Sequence, residues 1–157
     1  MKIEDEIKGR FRNEYHKGWI NLTYTTKKLS YKFYQSLKEH GLTEQQYNVL
    51  RILRGVHSAV PLSINCIKER MLDKDSGVSR IIDRLYEKGY VSRKENPDDR
   101  RQKSIVITEK GVKLLDKMYS CELKADTLLN NLSLTEITEL NRLLDKIRDK
   151  DYTGVVM

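Results

Sequence analysis

The sequence predicts a mainly α-helical chain with one small β-hairpin, and three observations carry that prediction. Apolar residues recur at helical spacing near both ends and through the centre. Two short runs of β-forming residues, 90–94 and 104–108, flank a turn-forming Asn96-Pro97-Asp98. The hairpin directly follows a pair of short helices. Together these give a winged helix-turn-helix, flanked by N- and C-terminal helices that serve dimerisation.

Each element can be justified in order. Ile3, Ile7, Phe11 and Tyr15 recur every four residues, and Trp19, Leu22, Leu29, Phe33 and Leu37 extend the stripe. This predicts helix from Met1 to about Lys38, broken near Gly9 or Gly18. An apolar stripe that long must be buried, which points to a partner chain. Gly41 is a stop. Thr43 with Gln46 three residues on is a capping box, and Tyr47, Leu50, Ile52 and Leu53 turn the next helix inward until Gly55. Residues 56–61 read as a loop.

Ser63 then caps a helix whose apolar face is Ile64, Ile67, Met71 and Leu72. The run Asp73-Lys74-Asp75-Ser76-Gly77 breaks it, and either Asp73 or Asp75 caps the second helix of the pair. Val78, Ile81, Ile82 and Leu85 form the buried face of that helix, with Gly89 as the residue just past its end. The opposite face carries Ser76, Ser79, Arg80, Asp83 and Arg84. Short hydroxyls allow close approach and arginine bonds guanine O6 and N7 together, so this face suits a DNA major groove. Arg93, Lys94 and Lys103 flank the hairpin turn as phosphate neighbours. Arg100 and Arg101, at its tip, can enter a narrow minor groove. Ser63 is chiefly a cap, although helix N-termini also suit phosphates.

Beyond the hairpin, Lys110 or Gly111 opens a long helix through Val112, Leu115, Met118, Tyr119 and Leu123 towards Leu129. Ser133 to Glu136 is a second capping box. Ile137, Leu140, Leu143, Leu144 and Ile147 give the last helix a clean apolar face, and residues 149–157 fray.

Composition bounds the function. The chain carries 34% charged residues and a net charge of +7, which favours polyanionic partners. The excess is not concentrated centrally: residues 68–103 hold 11 Lys and Arg against 8 Asp and Glu. Recognition must therefore rest on which face the arginines occupy. Cys66 and Cys121 are too few for a disulfide framework or zinc site and fit a reducing cytosol. Cys66 reads as a small core residue. His16, His40 and His57 each lack a second ligand at i+3 or i+4 and read as surface or capping residues. No run is long enough to span a membrane, and the polar N-terminus is no signal peptide, so a cytoplasmic location is expected. No phosphate loop, nucleophile elbow or metal-ligand spacing points to an enzyme, and no cofactor is expected.

The segments LTEQQYNVLRIL (42–53), VSRIIDRLYEKGYVSR (78–93) and DRRQKSIVITEKG (99–111) resemble the MarR (multiple antibiotic resistance regulator) family of transcription regulators. The last is the most specific, an acid-x-Arg wing followed at fixed distance by a Thr-Glu-Lys-Gly helix start. The resemblance implies that Arg101 reaches the minor groove with Asp99 holding its side chain. Gly77 departs from the family pattern, which more usually has Thr or Ser there, and so removes a base or phosphate contact. Relatives bind small phenolic or anionic effectors between dimerisation helices and DNA-binding lobe, which implies a pocket involving Trp19, Tyr31 or Tyr47. Relatives that sense peroxide do so through a first-helix cysteine, which this chain lacks.

The expected organisation is a dimerisation region at 1–40, a DNA-binding lobe at 41–111, dimerisation helices at 112–150 and a tail at 151–157. The expected function is a homodimeric regulator, more often a repressor, on a palindromic operator in double-stranded DNA, relieved by an effector. The alternative is a protein-interaction winged helix with no specific DNA target.

Overall fold

In the computed structural model of the chain, residues 2–56, 60–74, 77–95, 103–119, 123 and 126–149 are described. The elements run α1 (Ile3–Ile7), α2 (Glu14–Lys38), α3 (Glu44–Gly55), β1 (Leu62–Ser63), α4 (Ile64–Arg70), α5 (Val78–Glu87), β2 (Val91–Glu95), β3 (Lys103–Ile107), α6 (Glu109–Lys117) and α7 (Leu134–Arg148). The chain divides into two compact units, residues 1–121 and 122–157.

In the first unit, α3 to α6 enclose one core with an antiparallel sheet of order β1-β3-β2. Register sets Val91 opposite Ile107 and Arg93 opposite Ile105 on one side of β3, and Leu62 opposite Ile105 on the other. Leu50, Ile67, Ile82, Leu85, Ile105 and Leu115 are wholly shielded. Each such side chain contributes roughly 1.5–3 kcal/mol of transfer free energy, enough to fix α5 against α3 and the sheet.

Local signals set the helix ends. Thr43 Oγ1 accepts from Gln46 N while the Gln46 side chain returns to Thr43 N, both at 3.2 Å. Ser63 accepts from Cys66 N at 3.2 Å. At the end of α5, Tyr90 N donates to Leu85 O (2.9 Å) and Gly89 N to Tyr86 O (2.8 Å), with Gly89 at φ +72°. That left-handed turn satisfies two terminal carbonyls and suits a residue without Cβ. Thr108 then caps α6 by accepting from Gly111 N, and its hydroxyl donates to Gly89 O at 2.7 Å. Gly111 is required by proximity: a Cβ there would strike the Tyr90 carbonyl oxygen and lie 2.8 Å from Ile107 Cγ1.

The structure corrects several expectations. The N-terminal break falls at the first of its two expected places, residues 8–13 around Gly9, where Lys8 adopts φ 49°, while Gly18 lies within α2. The neighbouring turns carry the roughly 1 kcal/mol that a helical glycine costs. The two-residue β1 was not expected. Helix α4 ends at Arg70, so Leu72 turns outward to 91% exposure instead of extending the buried face, and Asn48 Oδ1 takes its N–H at 3.0 Å. Cys66 is exposed, not core, because the buried stripe runs through Ile67 and a side chain one position away sits about 100° round the helix. Gly77, not Asp73, occupies the N-cap of α5, with no side-chain hydrogen bond there; Asp75 lies outside the described residues. Helix α6 begins at Glu109, one residue early, and closes at Lys117. His57, Cys121 and the tail beyond Asp149 also lie outside the described residues.

Helix α1 docks on α2 through charge. Lys17 pairs with Glu4 at 2.5 Å, and Glu6 accepts from the Tyr24 hydroxyl at 2.5 Å and from Lys28 at 2.9 Å. The Tyr24 hydrogen bond, then that of Lys28, holds the Glu6 carboxyl below its ordinary value. Along α2 only Leu37 is buried; Tyr15, Trp19 and Tyr31 are 90%, 64% and 63% exposed. In the second unit, Ser133 and Glu136 form the expected capping box of α7, which has no buried residue. Ile137, Leu140 and Leu144 are half-buried, while Leu143 and Ile147 are exposed. Among the described residues no helix is long and apolar enough to cross a membrane.

Candidate nucleic-acid interface

Helix α5 is the centre of the site. Val78, Ile82 and Leu85 are buried and Ile81 packs against them. At 100° per residue this burial turns Ser79, Arg80, Asp83 and Arg84 outward together, and all four are exposed. Ser76 lies outside the described residues.

The outward face has two unlike flanks. Towards α3, Arg80 and Arg84 line a cleft of about 300 Å³ with Gln45, Asp73 and Gly77. It combines two arginines and an amide, donors that read guanine edges or hold phosphates, with the carboxylate of Asp73. Towards the hairpin, Asp83 Oδ1 is bound by Nη2 of Arg93 from β2. The Arg93 guanidinium also lies over the Tyr86 ring, 4.9 Å from its centroid. Ring and carboxylate together hold this arginine in one place.

The remaining residues named from sequence are dispersed. Lys94 is exposed on β2. Ser63 is half-buried, paired with Ser104 through β1 and engaged as the α4 cap. Lys103 faces Glu95 across the last described pair of the hairpin, but its side chain lies outside the described residues, as do Asp99, Arg100 and Arg101. Of the proposed effector residues, Tyr47 packs edge-on against Phe33, with centroids 5.3 Å apart. Tyr31 accepts a hydrogen bond from Gln35 at 2.8 Å. Trp19 stands about 18 Å from Tyr31 along the α2 axis at 1.5 Å rise per residue. None of the three lines the α3–α5 cleft.

Sequence reasoning missed two features. The Asp83–Arg93–Tyr86 cluster joins residues ten positions apart on a helix and a strand, a meeting no local spacing reports. A second cleft, of about 440 Å³, is lined by Tyr90, Lys110, Lys113 and Lys117. There Lys110 donates to Lys88 O at 2.7 Å and lies 5.1 Å from the centre of the Tyr90 ring, so it also closes the C-terminal end of α5.

Comparison with known proteins gives this geometry a context. The MarR family model matches residues 42–103. The HTH-type transcriptional regulator YkoM of Bacillus subtilis is 32% identical over 110 residues, which is 69% of this chain and 70% of the relative. The transcriptional repressor MprA of Escherichia coli is 26% identical over 128 residues, 77% of this chain and 71% of that one. Among solved structures, the organohalide-sensing regulator RdhR in its 2,4-dichlorophenol-bound form shares the fold at a TM-score of 0.77. It is 18% identical, covering 89% of this chain and 85% of its own.

Proposed function

The chain belongs to the MarR family of transcription regulators, and from that premise we propose that two copies of it bind a palindromic operator and repress transcription. The observation carrying this reading is the single exposed face of α5, with Ser79, Arg80, Asp83 and Arg84 set beside a hairpin. Residues 41–111 act as the DNA-binding lobe. Residues 1–40 and 112–150 supply the dimerisation helices, whose exposed apolar side chains, Trp19 and Ile147 among them, a second copy would cover. Two α5 helices would then sit about one duplex turn apart, roughly 34–36 Å.

Repression is steric in this scheme: the dimer occupies the promoter. The similarity to a repressor, MprA, supports the sign. The similarity to a regulator crystallised with 2,4-dichlorophenol supports a small phenolic effector, which would change the spacing of the two lobes. Arg101 would enter the minor groove with Asp99 holding its side chain, the roles that the family resemblance implies, while Arg93, Lys94 and Lys103 would serve the phosphate backbone. Trp19, Tyr31 and Tyr47 are the residues to test for the effector.

A mobility-shift titration against duplexes selected from a random pool tests the reading. The full chain should select a two-fold symmetric sequence, and Arg101→Ala should weaken binding and flatten its salt dependence. Binding to neither selected nor bulk duplex would instead favour a protein-interaction module.

A further inference from the structure

We infer that Asp83 is a specificity-determining residue that reads a cytosine, with Arg93 as its positioning partner; this rests on the DNA-binding reading of α5. Asp83 lies between Arg80 and Arg84 in sequence and shares their exposed face, its side chain 54% exposed. A bare carboxylate there would meet the phosphates of a duplex as a like charge. Arg93 removes that objection by binding Oδ1 and offsetting the charge. Tyr86 keeps the guanidinium in place from beneath, and Arg93 itself is only 28% exposed. The other oxygen, Oδ2, takes no hydrogen bond from a described residue.

An ionised carboxylate accepts hydrogen bonds and donates none. In the major groove its complement is an amino group. Adenine offers N6–H beside the N7 acceptor, which repels a carboxylate, whereas cytosine offers N4–H alone. The pair therefore presents the opposite code to its neighbours: acceptor at Asp83, donors at Arg80 and Arg84. The two flanks of one helix would read complementary base edges, cytosine on the hairpin side and guanine or phosphate on the α3 side.

Selection from random duplexes with the full chain and its Asp83→Ala and Asp83→Asn variants tests this. The unaltered chain should require cytosine at one symmetric pair of positions, and C·G to T·A replacement there should weaken binding roughly tenfold or more. Asp83→Ala should flatten preference at that position alone. Asp83→Asn keeps the shape and an acceptor for Arg93 but adds a donor, so its preference should move from cytosine to adenine. The unaltered chain on an operator carrying N4-methylcytosine at that position should bind as weakly as it does the T·A replacement, which tests the contact with no variant to fold. Variants that select the unaltered sequence, or lose affinity equally at every position, would make the pair structural only. If the unaltered chain selects no sequence, the DNA-binding reading fails instead, so the two failures are distinct.

Discussion

Around α5, side chains from four helices and three strands shield one another, with Leu50, Ile67, Ile82 and Leu115 fully enclosed. Along α2, the same residue classes point outward, and Tyr15 and Trp19 are mostly exposed. Both regions obey helical periodicity, and both are well capped, α3 by Thr43 and α2 by Asn13, which accepts from His16 N at 2.8 Å. What separates them is where the apolar face finds cover. The lobe completes its core within one chain. Helix α2 buries only Leu37, and an amphipathic stripe left so exposed is the kind of surface on which protein contacts form.

The largest expected effect sharpens that contrast. Ile82→Ala should cost about 2–5 kcal/mol in denaturant unfolding, since it leaves a cavity in a closed core. Trp19→Ala should change unfolding at low protein concentration little, yet weaken self-association at least tenfold by sedimentation equilibrium, as an interface aromatic does. Equal losses of unfolding stability in the two variants would break the comparison.

Gly111→Ala comes next. The added Cβ collides with the Tyr90 carbonyl and forces α6 away from the end of α5. Thermal unfolding should report a loss of about 1–3 kcal/mol. Removing the α3 cap with Thr43→Ala should cost about 1 kcal/mol by the same assay.

Legibility in the sequence tracks the reach of each interaction. Caps at Thr43, Ser63 and Ser133, and the end of α5 at Gly89, join residues three to five apart, and all were legible. So was the two-faced character of α5. The strand β1 was not, because two residues carry no alternation and its partners Ser104 and Ile105 are some forty positions away. The outward turn of Leu72 depends on Asn48, and the role of Arg93 depends on Asp83 and Tyr86. Gly111 was visible as part of a motif, but its reason, the Tyr90 carbonyl, required the fold.

The smallest effect concerns α1. Its docking glutamate, Glu6, has a folded-state pKa below the ordinary 4.5, chiefly through the Tyr24 hydroxyl and then Lys28. A lowered carboxylate pKa adds stability that is full above the unfolded value and is lost as pH falls through the folded one. Acidification below about pH 4.5 should therefore release α1 from α2, seen as faster amide exchange in residues 3–7, while Glu6→Gln should remove that component of the pH dependence. An unchanged acid profile in this variant would assign the docking to Glu4–Lys17 and Ile3 alone.

In the function proposed above, the uncovered face of α2 and the outward face of α5 belong to one device, a dimer that grips DNA. Sedimentation velocity of the full chain at micromolar concentration, alone and with a selected duplex, tests it most directly. A dimer that adds to the duplex as a unit of two chains is expected. A chain that stays monomeric alone and binds the duplex one copy at a time, with no coupling between half-sites, would contradict it.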